Sequence, residues 1–242
     1  MNKIAPILIV LLAMLVASAC TKGIKQEDVD PFVVSKAEVR DKVAVLAVAP
    51  MRIPDGLPNA GEIESRYTLM IEDKLHEGRF SVLFPYEYAT IWEDVANDIG
   101  DVNDPETGER VHEKVFEITR QTLERLGLAK HVDGIIVPTV RIVEAPFAGG
   151  NAHWHGTNQS IKSRNVMKEF LAGSPDGTVG ALSLFVTLFD MSGQVLYERA
   201  GGIEVLSTMA GKTFKLVPRE ELFKNDERVV KSVDIVLDPL ID

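Results

Sequence analysis

At 242 residues, with 45% of them apolar, the chain is long enough to fill one buried core and is not compositionally disordered. Its 36 Asp and Glu against 26 Lys and Arg leave a formal charge of −10, which excludes nucleic acid as a natural partner and gives no attraction to anionic lipid headgroups. One cysteine excludes an intramolecular disulfide.

The first twenty residues decide the compartment. Lys3 precedes an uncharged apolar run from Ile4 to Val16, and small residues stand at Ala17 and Ala19, where a signal peptidase pocket requires them. The run is shorter than the roughly 20 residues that cross a bilayer, and Pro6 interrupts its start. Residues 1–19 therefore read as a signal peptide cleaved between Ala19 and Cys20. The only thiol then becomes the first mature residue, an odd choice in an exported chain unless the thiol is consumed. Ala17-Ser18-Ala19-Cys20 resembles the lipobox of bacterial lipoproteins, with Ala17 where Leu is more usual. The resemblance implies diacylglycerol on the Cys20 sulfur and a further acyl chain, such as palmitate, on its amino group. Each buried methylene adds about 0.8 kcal/mol, so several chains make a lasting anchor. Thr21, not Asp, follows the cysteine, which in that family implies the outer membrane. Residues 20–41 are mostly polar and read as a tether, some twenty residues with a coil end-to-end distance of roughly 25 Å. Phe32-Val33-Val34 is an apolar island in it, suited to an edge strand.

Residues 42–242 read as one domain. Val43 to Pro50 is nearly continuously apolar and predicts a strand buried on both faces. Asn59-Ala60-Gly61-Glu62 predicts a capped helix start, and Ile63, Tyr67, Met70, Ile71 and Leu75 then fall on one face up to Gly78. Arg79 to Phe84 predicts a second strand and Tyr86 to Asn97 a helix. A polar break at 98–109 precedes a longer helix from Glu109 to Leu126, with Val111, Val115, Ile118, Thr122 and Leu126 on its inner side and Gly127 as terminator. Ile135 to Val143 is a third strand, placed at an edge or bulged because Pro138 lacks a ladder donor. Residues 145–179 form an unusually long connection, with a short helix at 161–171. Val179 to Asp190, the turn Met191-Ser192-Gly193 and Gln194 to Ala200 predict an antiparallel hairpin, which 201–213 extends. A last helix is expected from Pro218 to Val236, burying Val229, Val230, Val233 and Val236. The order predicts a mixed α/β (α+β) fold, one sheet of about five strands with helices on its faces.

Val43 to Pro50, Gly78-Arg79-Phe80-Ser81-Val82-Leu83, Asp133-Gly134-Ile135-Ile136-Val137 and Asp190-Met191-Ser192-Gly193-Gln194-Val195 carry a resemblance across residues 42–236. Together they are similar to the TolB amino-terminal-domain-like fold. Lipoproteins of that kind include the curli secretion pore subunit, activators of penicillin-binding proteins and a ring protein of exopolysaccharide export. The resemblance implies a periplasm-facing, non-catalytic interaction module with an envelope protein as partner and self-assembly into a ring.

Candidates for chemistry are few. His153 and His155, about 7 Å apart on one face of an extended strand, could hold a metal if further ligands arrived from Glu144, Asp176 or His131. Phe147 and Trp154 suit an exposed apolar tip touching membrane or a neighbouring subunit, or else Trp154 packs back onto the domain. A pore hairpin within 145–179 fits poorly, because Lys162, Arg164, Lys168 and Glu169 interrupt one arm and Gly149-Gly150-Asn151 the other. There is no nucleophile elbow, phosphate loop or zincin motif, so no enzyme is expected. The acidic stretch from Asp101 to Glu109 lacks calcium-loop spacing. No cofactor beyond the covalent lipid on Cys20 is expected. The function that the two resemblances imply is an outer-membrane lipoprotein that binds another envelope protein. A ligand- or metal-binding module using His153-Trp154-His155 is the second reading, and a pore subunit the third.

Overall fold

Two long paired strands run through the middle of the molecule. The structure is a computed structural model, and it describes residues 29–57, 59–100, 112–162, 176–210 and 213–242. The signal peptide, Cys20, the polar part of the tether to Asp28, the acidic stretch 101–109 and most of the helix expected at 161–171 lie outside the described residues. Strand β3 (Gly134–Ala148) pairs antiparallel with β6 (Gly177–Asp190), in register from Gly134 opposite Asp190 to Phe147 opposite Gly177. On the other side of β3 lies β1 (Val45–Val48), parallel to it, and then β2 (Ser81–Leu83), parallel to β1. Beyond β6 runs β7 (Val195–Val205), antiparallel. The body of the sheet is thus β2-β1-β3-β6-β7, mixed in direction, and the expected mixed α/β fold is the observed one.

Parallel neighbours need crossovers, and helices supply them. Helix α1 (Lys36–Lys42) leads into β1, and α2 (Ala60–Glu77) joins β1 to β2. Helices α3 (Pro85–Ile99) and α4 (His112–Lys130) lie between β2 and β3, and α5 (Asp226–Ile241) closes the chain. The apolar run of β1 is explained by cover on both faces. Leu46 and Val48 join Ile136, Val140, Leu184 and Val186 in the larger core, which α2 and α5 cover with Tyr67, Ile71, Val233 and Val236. Ala47 and Ala49 face the other way with Ile135, Leu126 and Val132, where Tyr88 and Ile91 of α3 pack. Each large aliphatic side chain so buried contributes about 1.5–3 kcal/mol.

Local signals failed where a tertiary neighbour outweighed them. Asn59 is no side-chain cap: it adopts a left-handed φ of 54°, and its carbonyl takes the first helical amides, those of Glu62 and Ile63. Gly127 lies inside α4, and the left-handed break falls at His131 (φ 56°), after Lys130 has paired with Glu87 of α3 at 3.2 Å. Pro138 sits in a central strand, neither at an edge nor at a bulge. Its carbonyl accepts from Arg52, so its missing N–H points the same way, toward the flank where β1 has already ended. Pro218 opens only a 3-10 turn, Arg219–Glu221. The last helix starts at Asn225, whose side chain accepts from the Arg228 amide, and Val230 is left 46% exposed.

Phe32-Val33-Val34, the apolar island expected to suit an edge strand, lies along β7. Val33 N–H donates to Leu196 O at 3.0 Å and Glu198 N–H to Pro31 O at 2.9 Å, laying the apolar island antiparallel along β7. The Phe32 ring stands edge-on to Tyr197, with centroids 5.0 Å apart. Val39 of α1 is buried in the larger core. The domain therefore begins near Pro31, not at residue 42.

Asp133 ties the two parallel strands together. Its Oδ2 accepts from the amides of Ala44 at 3.0 Å and Val45 at 2.8 Å, while its own N–H donates to Val45 O at 2.9 Å. Asp133→Ala is expected to remove two charge-assisted bonds and cost about 1.5–3 kcal/mol, read as a lower urea midpoint with unchanged m.

Candidate functional site

Where the connection expected at 145–179 is described, at 145–162 and 176–179, most of it is sheet. Strand β3 continues to Ala148, Gly149 and Gly150 turn the chain with φ of 61° and 83°, and β4 (Asn151–Trp154) begins. His155 and Gly156, at φ of 40° and 73°, then make a two-residue turn into β5 (Thr157–Ser160). Alternation along β4 turns Ala152 and Trp154 inward and His153 outward. The inward residues meet Ala145, Phe147, Ile161, Val179, Ala181, Val205 and Met209 in a second core at the far end of the β3–β6 pair. Met209 belongs to a small hairpin of β8 (Ser207–Ala210) and β9 (Thr213–Leu216).

Of the two readings, an exposed tip of Phe147 and Trp154 or Trp154 packed back onto the domain, the structure has the packed one and corrects the tip. Trp154 is 3% exposed and Phe147 6%, and both are spent inside this chain. The Trp154 indole N–H has its partners there, Ser183 Oγ at 3.1 Å and Leu182 O at 3.3 Å. Strands β4 and β5 are four residues each, against the roughly 9–11 residues that cross an outer membrane. Among the described residues no helix is long and apolar enough to cross a membrane.

Nor does β4 bring the two histidines together as ligands. His153 is exposed, while His155 lies in the turn with Nδ1 2.9 Å from Ser183 Oγ and its ring edge-on to Phe185 at 5.3 Å. Burial lowers the His155 pKa, favouring the neutral ring. Because Ser183 Oγ already accepts the indole N–H, its own hydrogen is free to donate to Nδ1 in that neutral form. Among the described residues no three His, Cys, Asp or Glu side chains gather as a metal site.

Two adjacent glycines in β7 let this arrangement close, and sequence reading had passed over them. A Cβ on Gly202 would meet Trp154 and Thr157 at 2.7–2.8 Å, and one on Gly201 would run into the Ser232 carbonyl of α5. Glycine inside a strand marks a close approach of this kind, so Gly201-Gly202 carried a usable signal. One glycine admits the indole on one face, the other admits a helix on the opposite face.

Around the turn His155-Gly156 opens a cleft of about 820 Å³ at the outer edge of β7. The segment at Asp30, the β7 residues Glu198 and Arg199, Phe185 of β6, and Asp234 and Asp238 of α5 surround it. Lys74 of α2 reaches Asp234 and Asp238 from behind, at 3.0 Å each, and its pKa is raised by those two hydrogen bonds. A smaller cleft of about 470 Å³ lies between α2 and the start of α5. There Arg66 donates to Phe223 O at 2.9 Å and pairs with Asp226 at 2.5 Å.

Glu204, behind that second cleft, is buried and accepts from Phe223 N–H at 2.5 Å, with Arg228 3.8 Å away. Burial raises its pKa more than the Phe223 bond and Arg228 lower it. Its native pKa thus exceeds its unfolded one, so the folded state holds the extra proton and stability falls as pH rises through that window. Glu204→Gln keeps an acceptor for Phe223 without the charge. It is expected to gain stability relative to the parent at pH 7 and to lose that advantage near pH 4, as measured by urea unfolding at both values.

Comparison with known proteins adds little. No family model matches the chain, and no curated protein does. Among solved structures it is similar to a PelC dodecamer from Paraburkholderia phytofirmans, at 12% identity over 83% of this chain and 89% of that one, with a TM-score of 0.35. A likeness this loose carries neither fold nor function over to this chain.

Proposed function

We propose that the chain is a non-catalytic lipoprotein of the cell envelope, acylated on Cys20, held at the outer membrane facing the periplasm, and offering its mixed-sheet domain to another envelope protein. The observation that carries this reading is the apolar run ending in Ala17-Ser18-Ala19 with the only thiol of the chain immediately after it. The point where the domain begins supports it. Eight residues, 21–28, separate Cys20 from Val29, so an acylated chain would hold the domain within roughly 30 Å of the bilayer surface. The partner class rests on the fold resemblance read from sequence, as does self-assembly into a ring.

The full chain is expressed in a Gram-negative host, and its amino-terminal peptide is weighed by mass spectrometry. Acyl mass on Cys20 and recovery in the outer-membrane fraction are expected, with Cys20→Ser moving the protein to the soluble periplasm. An unmodified Cys20, or a Cys20→Ser chain still sedimenting with membranes, would sink the anchor. Cross-linking in cells tests the partner. Sedimentation of the Cys20→Ser chain tests self-assembly, for which a monomer at all concentrations would be decisive.

A further inference from the structure

Among the described residues, the outer edge of β7 is covered at both ends and open in the middle. At one end Pro31 and Val33 pair with Glu198 and Leu196. At the other, Gly202 N–H donates to His155 O at 3.0 Å and Gly202 O accepts from Thr157 Oγ1 at 2.8 Å. Residues 196, 198 and 202 thus turn their backbone groups outward, and alternation turns Ala200 outward as well. Ala200 N–H and C=O have no partner among the described residues. Glu198 C=O is also left over, since the proline facing it has no N–H to give. These three groups stand on the floor of the 820 Å³ cleft, which Ala200 lines. A sheet edge with free donor and acceptor is a template for one more strand.

The walls select the strand by charge. Asp30, Glu198, Asp234 and Asp238 line the cleft against one guanidinium, Arg199. Counting Lys74, which holds the two α5 carboxylates from outside, still leaves an excess of negative charge. Phe185 and Ile235 add apolar lining, and Val29 and Val33, 75% and 63% exposed, flank the opening. We propose that this cleft binds an extended, basic segment of a partner protein, which adds to the β7 edge at Ala200 while its cationic side chains meet the surrounding carboxylates. The proposal rests on the reading that the domain binds another protein, and it names the surface and the chemistry of that partner. Residues before Val29 are the rival occupant, because the register that sets Pro31 opposite Glu198 would bring Val29 opposite Ala200 if continued. Val29 O instead accepts from Arg199 Nη1 at 3.5 Å.

The test uses the full chain carrying Cys20→Ser and three synthetic heptapeptides read by fluorescence anisotropy. One alternates Lys and Val with Lys at both ends, the second has Glu for Lys, and the third is the first with alternate amides N-methylated. The Lys peptide is expected to bind with an affinity that falls as salt rises. The Glu peptide is expected not to bind, and N-methylation to weaken binding at least tenfold. Asp30→Asn with Glu198→Gln, both exposed positions, is expected to weaken the Lys peptide about fivefold or more while far-UV circular dichroism stays unchanged. Equal binding of the Glu or N-methylated peptide overturns the proposal, as does no effect of the double variant. Binding that appears only after residues 21–28 are removed, or that tracks dimerisation of the chain, assigns the edge to its own segment or to a second copy and equally overturns it. Because these measurements need no lipid and no cellular partner, their failure is separable from failure of acylation or cross-linking.

Discussion

Trp154→Ala is expected to destabilise the domain by about 3–5 kcal/mol, the range for an aromatic removed from a packed core. For a domain of this size that is a fall in melting temperature of roughly 6–20 °C. The indole stands between β4 and the β6–β7 pair, against Gly202, with its N–H bonded to Ser183 and Leu182. Truncation would leave a cavity and strand the β4–β5 hairpin, which is held mainly by this second core. A membrane- or subunit-facing tryptophan behaves oppositely, since its loss leaves the isolated domain as stable as before. Differential scanning calorimetry of the Cys20→Ser chain with and without Trp154→Ala separates the two. A change below 1 kcal/mol would contradict the buried placement. Phe147→Ala should follow the same pattern, because its ring packs in the same cluster and stands edge-on to Phe214 at 5.8 Å.

Gly201→Val is expected to cost at least as much per atom, for the opposite reason. Here there is no space to lose. A side chain would press on the Ser232 backbone carbonyl and on Val236, whose Cγ1 would lie 3.1 Å from the new Cβ. Backbone cannot swing aside as a flexible side chain can, so α5 must move off the sheet. Overpacking of this kind costs about 1–3 kcal/mol, with more expected where the obstacle is main chain. Movement of α5 also strains two buried hydrogen bonds, Tyr197 Oη to Val236 O at 2.7 Å and Tyr67 Oη with Ser232 Oγ at 3.2 Å. Gly201→Ala should show a smaller loss of the same sign. A Gly201→Val chain with an unchanged urea midpoint would mean that α5 does not seat on this glycine.

The fold was legible where burial pattern alone decides structure. Val45-Leu46-Ala47-Val48 reads as a two-sided strand because nothing polar interrupts it, and Ile63, Tyr67, Ile71 and Leu75 read as a helix face because their spacing leaves no other way to bury them together. The turn after Asp190 was legible too, since Asp190 Oδ1 accepts from the amides of Ser192 and Gln194, and Gly193 takes φ of 86°. Capping and termination were less legible, as Asn59, Gly127 and Pro218 show, because a cap is worth about 1 kcal/mol and a packed neighbour more. Asn151–Ser160 gave the weakest sequence signal. Its strands are too short to show periodicity, and Trp154 between two histidines looks as suitable for a surface as for a core.

By itself the sequence determined the mixed α/β class and most of the larger core, which follow from composition and spacing along one segment at a time. Only the tertiary structure decided where Trp154 and Phe147 point, why Pro138 is tolerated in a central strand, and that Asp30, Glu198, Asp234 and Asp238 surround the cleft at Ala200 of β7. The physical reason is the same in each case. Those facts depend on which strand lies beside which and where its neighbour stops, and pairing across long sequence separations leaves no periodic mark on either partner.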